Sequence, residues 1–242
     1  MKKLSILAAS LALFFAACGG SSATDSDDVS SSNSTATNGI LTDSRDGQKY
    51  KTTKIGEQVW MAENLNYAYL QPTDELDSSS FCYDNDPAMC KKYGRLYLWS
   101  AVVDSAGVLK NDGKGKDCGY GAECGVEGSF QGICPKGWHL PSKGEFETLL
   151  ASVGVSGEER SEILGAGSWK NGMNKFSFSA LPAGYYNSNL KEFYDLGDDA
   201  NFWSSMEYDS GNAYCLYIFD RNAYVTLYEK YRGLSVRCLQ DS

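Results

Sequence analysis

The sequence predicts an α+β domain in which short strands at both ends enclose one or two helices. Glycine and tyrosine are abundant, with 25 Gly and 16 Tyr, which favours many turns and short strands. Residues 50–61 and 213–239 have strand-like patterns, whereas 142–153 repeats its apolar residues at helical spacing. Because strands flank the helical part on both sides, we expect the two ends of the domain to pair.

The first 17 residues have the order of a bacterial lipoprotein signal. Two lysines precede a mostly apolar run over 4–15, and two alanines lead into Cys18. The run is shorter than the roughly 20 apolar residues of a spanning helix. The pattern predicts cleavage before Cys18 and acylation of its thiol and freed amine, since several acyl chains anchor stably. The alternative is an ordinary signal peptide whose cleavage site happens to precede a cysteine.

The residues after Cys18 predict where the mature protein lies. Gly19 follows the cysteine, in place of the Asp that would retain a lipoprotein at the inner membrane. We therefore expect an exported, lipid-anchored protein at the outer membrane or cell surface. Residues 18–44 are dominated by Ser, Thr, Asn and Asp, which predicts a flexible tether. A single domain is expected over 45–242.

The charge of the chain limits its partners. The formal net charge is -9, and loss of Lys2 and Lys3 with the signal would make it -11. A strongly acidic chain repels nucleic acids and anionic lipid surfaces. We therefore expect no nucleic-acid partner, and a membrane association made through the lipid on Cys18.

Strands are predicted first in the N-terminal part of the domain. Tyr50–Trp60 is predicted to form two strands around a turn at Ile55–Glu57. Tyr93–Val103 is a compact apolar run that fits a strand turning into a helix, and periodicity does not decide between them. The polar segment 70–92 and the Gly-rich segment 104–133 are predicted to be loops.

The clearest helix is predicted over Ser142–Val153. Ser142 and Glu145 have the spacing of a capping box. One apolar face repeats at three- and four-residue spacing and consists of Phe146, Leu149, Leu150 and Val153. A second, shorter helix is predicted over 158–164. Strands follow over 213–219, 224–228 and 234–239.

Seven cysteines besides Cys18 are expected in an oxidising compartment, which favours disulfides. Six of them form three candidate pairs: Cys82 with Cys90, Cys118 with Cys124, and Cys134 with Cys238. Cys215 is then free, or it exchanges with a member of one pair, because spacing alone does not fix connectivity. Zinc is the disfavoured alternative, since the chain lacks a C-x-x-C pair.

Six segments recur in the same order in one known family. They are Gly56–Asn66 (GEQVWMAENLN), Tyr93–Ser100 (YGRLYLWS), Cys134–Leu140 (CPKGWHL), Leu181–Tyr185 (LPAGY), Phe202–Ser205 (FWSS) and Ser235–Cys238 (SVRC). Together they resemble the Fibrobacter succinogenes major paralogous domain, and the resemblance spans about Asp46 to Gln240.

The resemblance implies a particular fold. The segment Trp138–Glu145 is similar to the helix signature of C-type-lectin-like folds, which also house the formylglycine-generating sulfatase modifiers. This implies a C-type-lectin-like domain with short mixed strands, one or two helices and long disulfide-tied loops. Cys134 and Cys238 match the two positions that such folds join by a disulfide.

No catalytic residue is predicted. His139 is the single histidine, and it lies in a segment that the resemblance marks as structural. Formylglycine-generating enzymes hold copper with two closely spaced cysteines late in the domain, whereas Cys215 and Cys238 are far apart in sequence. This departure argues against the oxidase chemistry of that fold.

Calcium is the cofactor that the acidic loops favour most, because it binds carboxylate, amide and carbonyl oxygens. The first candidate set consists of Asp195, Asp198, Asp199 and Asn201, and the second of Asp84, Asn85 and Asp86. The sugar-binding sequences of C-type lectins do not occur at the matching places. The alternative to a calcium site is that these acidic residues lie in solvated turns, and we favour this alternative.

Tyrosines in Gly- and Asn-rich stretches are candidate ligand contacts. Tyr185, Tyr186 and Tyr194 could stack on sugar rings, with Tyr208 and Trp203 nearby in sequence. The alternative is that these rings pack the core, which Trp203 in particular suggests. The sequence thus favours a non-catalytic binding or adhesion module for a polysaccharide or a surface protein. A structural component of a surface assembly is the second hypothesis, and a divergent formylglycine-generating enzyme the third.

Overall fold

The computed structural model describes residues 39–109, 116–126, 130–154, 156–165, 169, 172–219 and 222–242. The predicted signal over 1–17, the acylated Cys18 and most of the predicted tether lie outside these residues. The tether was predicted to extend to residue 44, but Gly39–Thr42 form a strand and belong to the folded domain. Within the described ranges, no helix has the length and hydrophobicity needed to cross a lipid bilayer.

Thirteen strands and four helices make up the described part of the chain. The strands are β1 (Gly39–Thr42), β2 (Lys49–Ile55), β3 (Gln58–Met61), β4 (Ser80–Phe81), β5 (Leu96–Leu98), β6 (Trp138–His139), β7 (Tyr185–Asn187), β8 (Glu192–Tyr194), β9 (Asp199–Glu207), β10 (Asn212–Phe219), β11 (Asn222–Glu229), β12 (Arg232–Leu234) and β13 (Leu239–Gln240). The helices are α1 (Pro87–Tyr93), α2 (Trp99–Val102), α3 (Lys143–Val153) and α4 (Gly157–Leu164), and a 3-10 turn covers Tyr83–Asn85.

The strands form three antiparallel sheets. Their orders are β1-β2-β3-β13-β6, β11-β10-β9 and β4-β5-β12-β7-β8. In the first sheet, Leu239 pairs with both Trp60 and His139. The expectation that strands from the two ends of the domain meet is therefore confirmed.

The predicted α+β, C-type-lectin-like fold is wrong, because the domain is mostly β. Its thirteen strands build three sheets, whereas the four helices contain only 7, 4, 11 and 8 residues. The prediction rested on the segment around α3, and helix capping specifies where a helix starts but not which sheets surround it. Strands of two or three residues such as β4, β7 and β8 are too short to show periodicity.

The helix predicted over 142–153 is confirmed as α3. The Ser142 side chain accepts a hydrogen bond from the backbone N–H of Glu145, and the Glu145 carboxylate accepts one from the N–H of Ser142. The predicted apolar face is buried. Phe146 stacks on Trp60 of β3, with ring centroids 5.5 Å apart. The helix thereby covers the first sheet.

The middle sheet has apolar residues on both faces. Leu216 and Ile218 of β10 face the cluster that includes α3 and α4. Cys215 and Trp203 contribute to the other large cluster. The alternation predicted over 213–219 is therefore present, with a register shift against β9 between Ala213 and Cys215. Tyr93–Val103 contains a strand followed directly by a helix, β5 and α2.

All three predicted disulfides are present. They join Cys82 to Cys90, Cys118 to Cys124, and Cys134 to Cys238. Cys215 is the free cysteine of the described chain, and its burial raises the pKa of its thiol. The Cys134–Cys238 bond closes a sequence separation of 104 residues and ties the segment before β6 to the segment before β13.

The His139 side chain links separate segments of the domain through hydrogen bonds. Its Nδ1 lies 2.7 Å from Asp241 Oδ1, and its Nε2 lies 3.0 Å from Glu145 Oε1. Burial disfavours the imidazolium, but hydrogen bonds to both carboxylates outweigh it and raise the pKa of His139. The imidazolium donates from both nitrogens, so this residue joins β6 to the start of α3 and to the C-terminal residues.

A fully buried guanidinium lies at the centre of the domain. Arg237 donates to Asn64 Oδ1 at 2.9 Å, to the Ser179 carbonyl at 2.7 Å and to the Phe178 carbonyl. Its guanidinium also lies over the rings of Phe178 and Phe202, 4.4 and 5.1 Å from their centroids. Burial lowers the pKa of Arg237 to about 9, so the group is charged at neutral pH.

Replacement of this residue by Arg237→Ala is expected to lower the free energy of unfolding by about 3 kcal/mol or more, since several buried acceptors lose their donor. Urea denaturation measures the change. The exposed Lys136→Ala variant is the control and should shift stability by no more than about 0.5 kcal/mol. Equal effects of the two substitutions would contradict a central role for Arg237.

Candidate functional site

Two of the predicted tyrosines form the start of an aromatic surface. Tyr185 of β7 pairs with Tyr194 of β8, and their rings stack with centroids 5.4 Å apart and planes at 22°. The guanidinium of Arg232 lies 4.4 Å from the Tyr185 ring centroid. Tyr185 is therefore held by a ring from the next strand and by a cation from β12.

The same surface continues onto the middle sheet. Tyr228 lies 6.4 Å from Tyr185 and 5.8 Å from Tyr217, between ring centroids. Tyr217 stacks on Phe219 at 4.7 Å and meets Tyr224 edge-on at 5.7 Å. We call the six rings the tyrosine cluster: Tyr185, Tyr194, Tyr217, Phe219, Tyr224 and Tyr228. All six are partly or largely exposed.

Strand register explains how the cluster forms. Residues directly opposite in an antiparallel pair share one face of the sheet. Tyr217 of β10 is opposite Tyr224 of β11 and opposite Asn201 of β9. Alternate residues of a strand also share a face, which adds Phe219 and Tyr228. Aromatic residues at alternating positions of two neighbouring strands thus build one surface.

Polar groups border the tyrosine cluster. The Tyr217 hydroxyl donates to Asp199 Oδ2 at 2.8 Å, and burial together with this bond raises the pKa of Tyr217. The Tyr194 hydroxyl donates to Glu192 Oε2 at 2.5 Å. The Arg232 Nε donates to Glu229 Oε2 at 2.7 Å. The rings therefore have carboxylates and one guanidinium within reach of the same surface.

Asn201 lies on the same face and is fully buried. Neither its Oδ1 nor its Nδ2 makes a hydrogen bond to the described residues. A buried amide without partners is costly, and here both of its polar atoms are unpaired among the described residues.

The remaining predicted ring residues lie elsewhere. Tyr186 points to the opposite side of β7 and is only 5% exposed, packed against Phe81 and Phe193. Its ring is therefore mostly buried and does not belong to the surface that Tyr185 and Tyr194 form. Trp203 is buried as expected and donates to the Tyr97 carbonyl at 2.8 Å. Tyr208 is 59% exposed and contacts Tyr214, apart from the cluster.

Four rings of the cluster were not among the ligand contacts predicted from the sequence. They are Tyr217, Phe219, Tyr224 and Tyr228. The alternation of aromatic residues in 217–219 and 224–228 was the available signal. It indicates which residues of each strand share a face, but it does not show that the faces of different strands form one surface.

The predicted calcium ligands Asp195, Asp198 and Asp199 lie in one turn, where the N–H groups of Asp198 and Asp199 donate to the Asp195 carbonyl. Asp195 and Asp198 are exposed, while Asp199 is buried and bound by Tyr217. Throughout the described ranges, no group of three or more His, Cys, Asp or Glu side chains is arranged to hold a metal ion. In the other candidate set, Asp86 caps α1 by accepting from the Ala88 N–H.

The arrangement defines a mostly β domain with an exposed aromatic surface on its middle sheet. A family model described as the Fibrobacter succinogenes major domain matches residues 53–240, so the chain belongs to this family. The resemblance seen in the six sequence segments is thereby confirmed. No curated protein and no solved structure matches the chain.

Two buried asparagines provide a matched test of the site. Asn64 makes hydrogen bonds with Arg237, Tyr93 and Ser235, whereas the Asn201 amide makes none. Asn64→Leu should lower the free energy of unfolding by about 2 kcal/mol, and Asn201→Leu should raise it by about 1 kcal/mol. Urea denaturation measures both. A comparable loss in Asn201→Leu would show that its amide is satisfied in the free protein.

Proposed function

We propose that this protein is a cell-surface lipoprotein that acts as a non-catalytic binding or adhesion module, with polysaccharide as its ligand. The observation that carries the proposal is the tyrosine cluster, a contiguous set of six partly or largely exposed rings bordered by hydrogen-bonding groups.

Aromatic rings suit a sugar ligand for a physical reason. The C–H groups of a sugar ring pack on the electron-rich face of an aromatic ring, and tyrosine adds a hydroxyl that binds water or sugar hydroxyls. Glu229 and Arg232 lie beside the rings and supply an acceptor and donors. A surface of this composition is complementary to a polysaccharide, in which apolar ring faces alternate with hydroxyl groups.

The charge around the cluster favours a neutral polysaccharide. Glu192, Asp199 and Glu229 border the rings, and Arg232 is already paired with Glu229. The whole chain is also acidic, with a formal net charge of -9. A polyanionic chain would be repelled by this field, so we place neutral glycans first among the ligands.

Surface display follows from the N-terminal sequence. Lipid on Cys18 would hold the protein at the outer membrane or cell surface, and the Ser/Thr/Asp-rich segment after it would hold the domain away from the bilayer. Three disulfides support export, because such bonds persist in oxidising compartments.

Substitution Cys18→Ser is expected to abolish lipid attachment, because the thiol is the site of acylation. Labelling of cells with a radioactive fatty acid, followed by detergent phase partitioning, measures both lipid and membrane association. Ser22→Ala is the control and should partition with the wild type. Unlabelled wild-type protein in the aqueous phase would refute the anchor.

Binding to neutral polysaccharides tests the proposed ligand. Isothermal titration with soluble β-glucan, xylan and mannan, and pull-down with insoluble forms, should show that the wild type binds at least one of them. Tyr194→Ala combined with Tyr217→Ala should weaken that binding at least tenfold, because each ring contributes about 1 kcal/mol. Tyr208→Ala removes a more exposed ring outside the cluster and should change affinity less than twofold.

Two results would overturn the ligand assignment. Failure of the wild type to bind any of these polysaccharides would favour a structural role in a surface assembly. Equal losses in the cluster variant and in Tyr208→Ala would place the binding surface outside the tyrosine cluster.

A further inference from the structure

A cavity of about 550 Å³ lies on the other side of the β7–β8 hairpin from the tyrosine cluster. Its walls come from the segment 70–82, from the residue that precedes β5, and from the turn of the hairpin. Tyr186 lines it, and successive residues of a strand point to opposite faces. The cavity is therefore separate from the surface that Tyr185 and Tyr194 form.

Arg95 brings an unpaired cation to this cavity. Its guanidinium is half-buried and makes only two long contacts, to the carbonyl and hydroxyl oxygens of Ser80 at 3.4 and 3.5 Å. Arg45 and Arg232 differ, since each donates to a carboxylate at 2.9 Å or less. Among the described residues, no carboxylate forms an ion pair with Arg95.

A second cation lines the same cavity. Lys191 lies in the β7–β8 turn, and its Nζ makes one contact of 3.4 Å, to the backbone carbonyl of Glu75. Within the described chain, Lys191 also lacks a carboxylate partner. Two positive groups that form no ion pair within the described residues thus face one space, and the carboxylates of Glu75 and Asp77 line the same space.

The remaining walls combine apolar and hydroxyl-binding groups. Phe81 and Tyr186 pack with ring centroids 4.2 Å apart, and Leu70 is 57% exposed at the edge. Glu75 and Asp77 contribute carboxylates, which accept hydrogen bonds from hydroxyls, and Asn85 contributes an amide. The lining therefore offers one apolar wall, two cations, two carboxylates and an amide, and its volume is that of a typical small-molecule site.

We propose that this cavity binds a hexuronic acid residue, with the ligand carboxylate on Arg95. A guanidinium presents two parallel N–H donors that match the two oxygens of a carboxylate, and Lys191 adds a second positive charge. The apolar face of the sugar ring packs on Phe81, and Asp77 and Asn85 bind its hydroxyls. These polar walls favour a sugar acid over an aromatic acid, which has no hydroxyls for them to bind.

Titration with two nearly identical probes tests this inference. Glucuronate carries the carboxylate, whereas glucuronamide has the same ring without the charge. Isothermal titration or chemical-shift perturbation should show that the wild type binds glucuronate at least tenfold more tightly than glucuronamide. Arg95→Gln should abolish that preference. Arg95→Lys keeps the charge but loses the two-donor geometry, so it should retain only part of the preference.

Lys136→Gln is the control for charge, because it removes one exposed cation outside the cavity. It should leave glucuronate affinity within twofold of the wild type. Equal binding of the two probes, no binding of glucuronate, or an equal loss in Lys136→Gln and Arg95→Gln would each overturn the proposal.

The outcome is independent of the tyrosine cluster. The cavity is tested with monosaccharides and Arg95 variants, whereas the cluster is tested with neutral polysaccharides and Tyr194 and Tyr217 variants. Loss of one activity with retention of the other therefore identifies which of the two assignments fails.

Discussion

The buried guanidinium of Arg237 is the constraint on which the rest of the domain depends. A charged group without solvent needs several acceptors, and here three acceptors come from two segments: Asn64 after β3, and the carbonyls of the consecutive residues Phe178 and Ser179. Asn64 in turn donates to the Tyr93 carbonyl and to the Ser235 hydroxyl. Segments far apart in the chain are thereby fixed around one residue.

The neighbouring Cys238 extends this constraint. Its bond to Cys134 ties the last segment to the start of β6, where His139 bridges the carboxylates of Glu145 and Asp241. Phe202 of β9 packs against Arg237 and forms a parallel bridge with Ser235, whose backbone is hydrogen-bonded to Asn201 and Trp203. Because β9 and β12 are both positioned here, the sheets that carry the two halves of the tyrosine cluster are brought together.

The two proposed sites lie on opposite sides of the β7–β8 hairpin and would bind their ligands through different interactions. The charged groups beside the tyrosine cluster are paired with each other or with tyrosine hydroxyls, which suits a neutral polysaccharide. The cavity beside Arg95 presents two cations that form no ion pair within the described residues, and also two carboxylates that can accept hydrogen bonds from hydroxyls, which suits a single acidic sugar. A glycan with a neutral backbone and an occasional uronic acid branch would contain both kinds of group.

The sequence by itself determined the local features of this protein. The capping box of α3, its buried face, the three disulfides and the family were all predicted correctly, because each depends on neighbouring residues or on ordered segments. Only the tertiary structure decided the mostly β class, the burial of Tyr186 and of Asp199, and the contact of Tyr185 with Tyr228 and of Tyr228 with Tyr217. These depend on strands of a few residues pairing across long sequence distances, and periodicity within one segment contains no information about its partner.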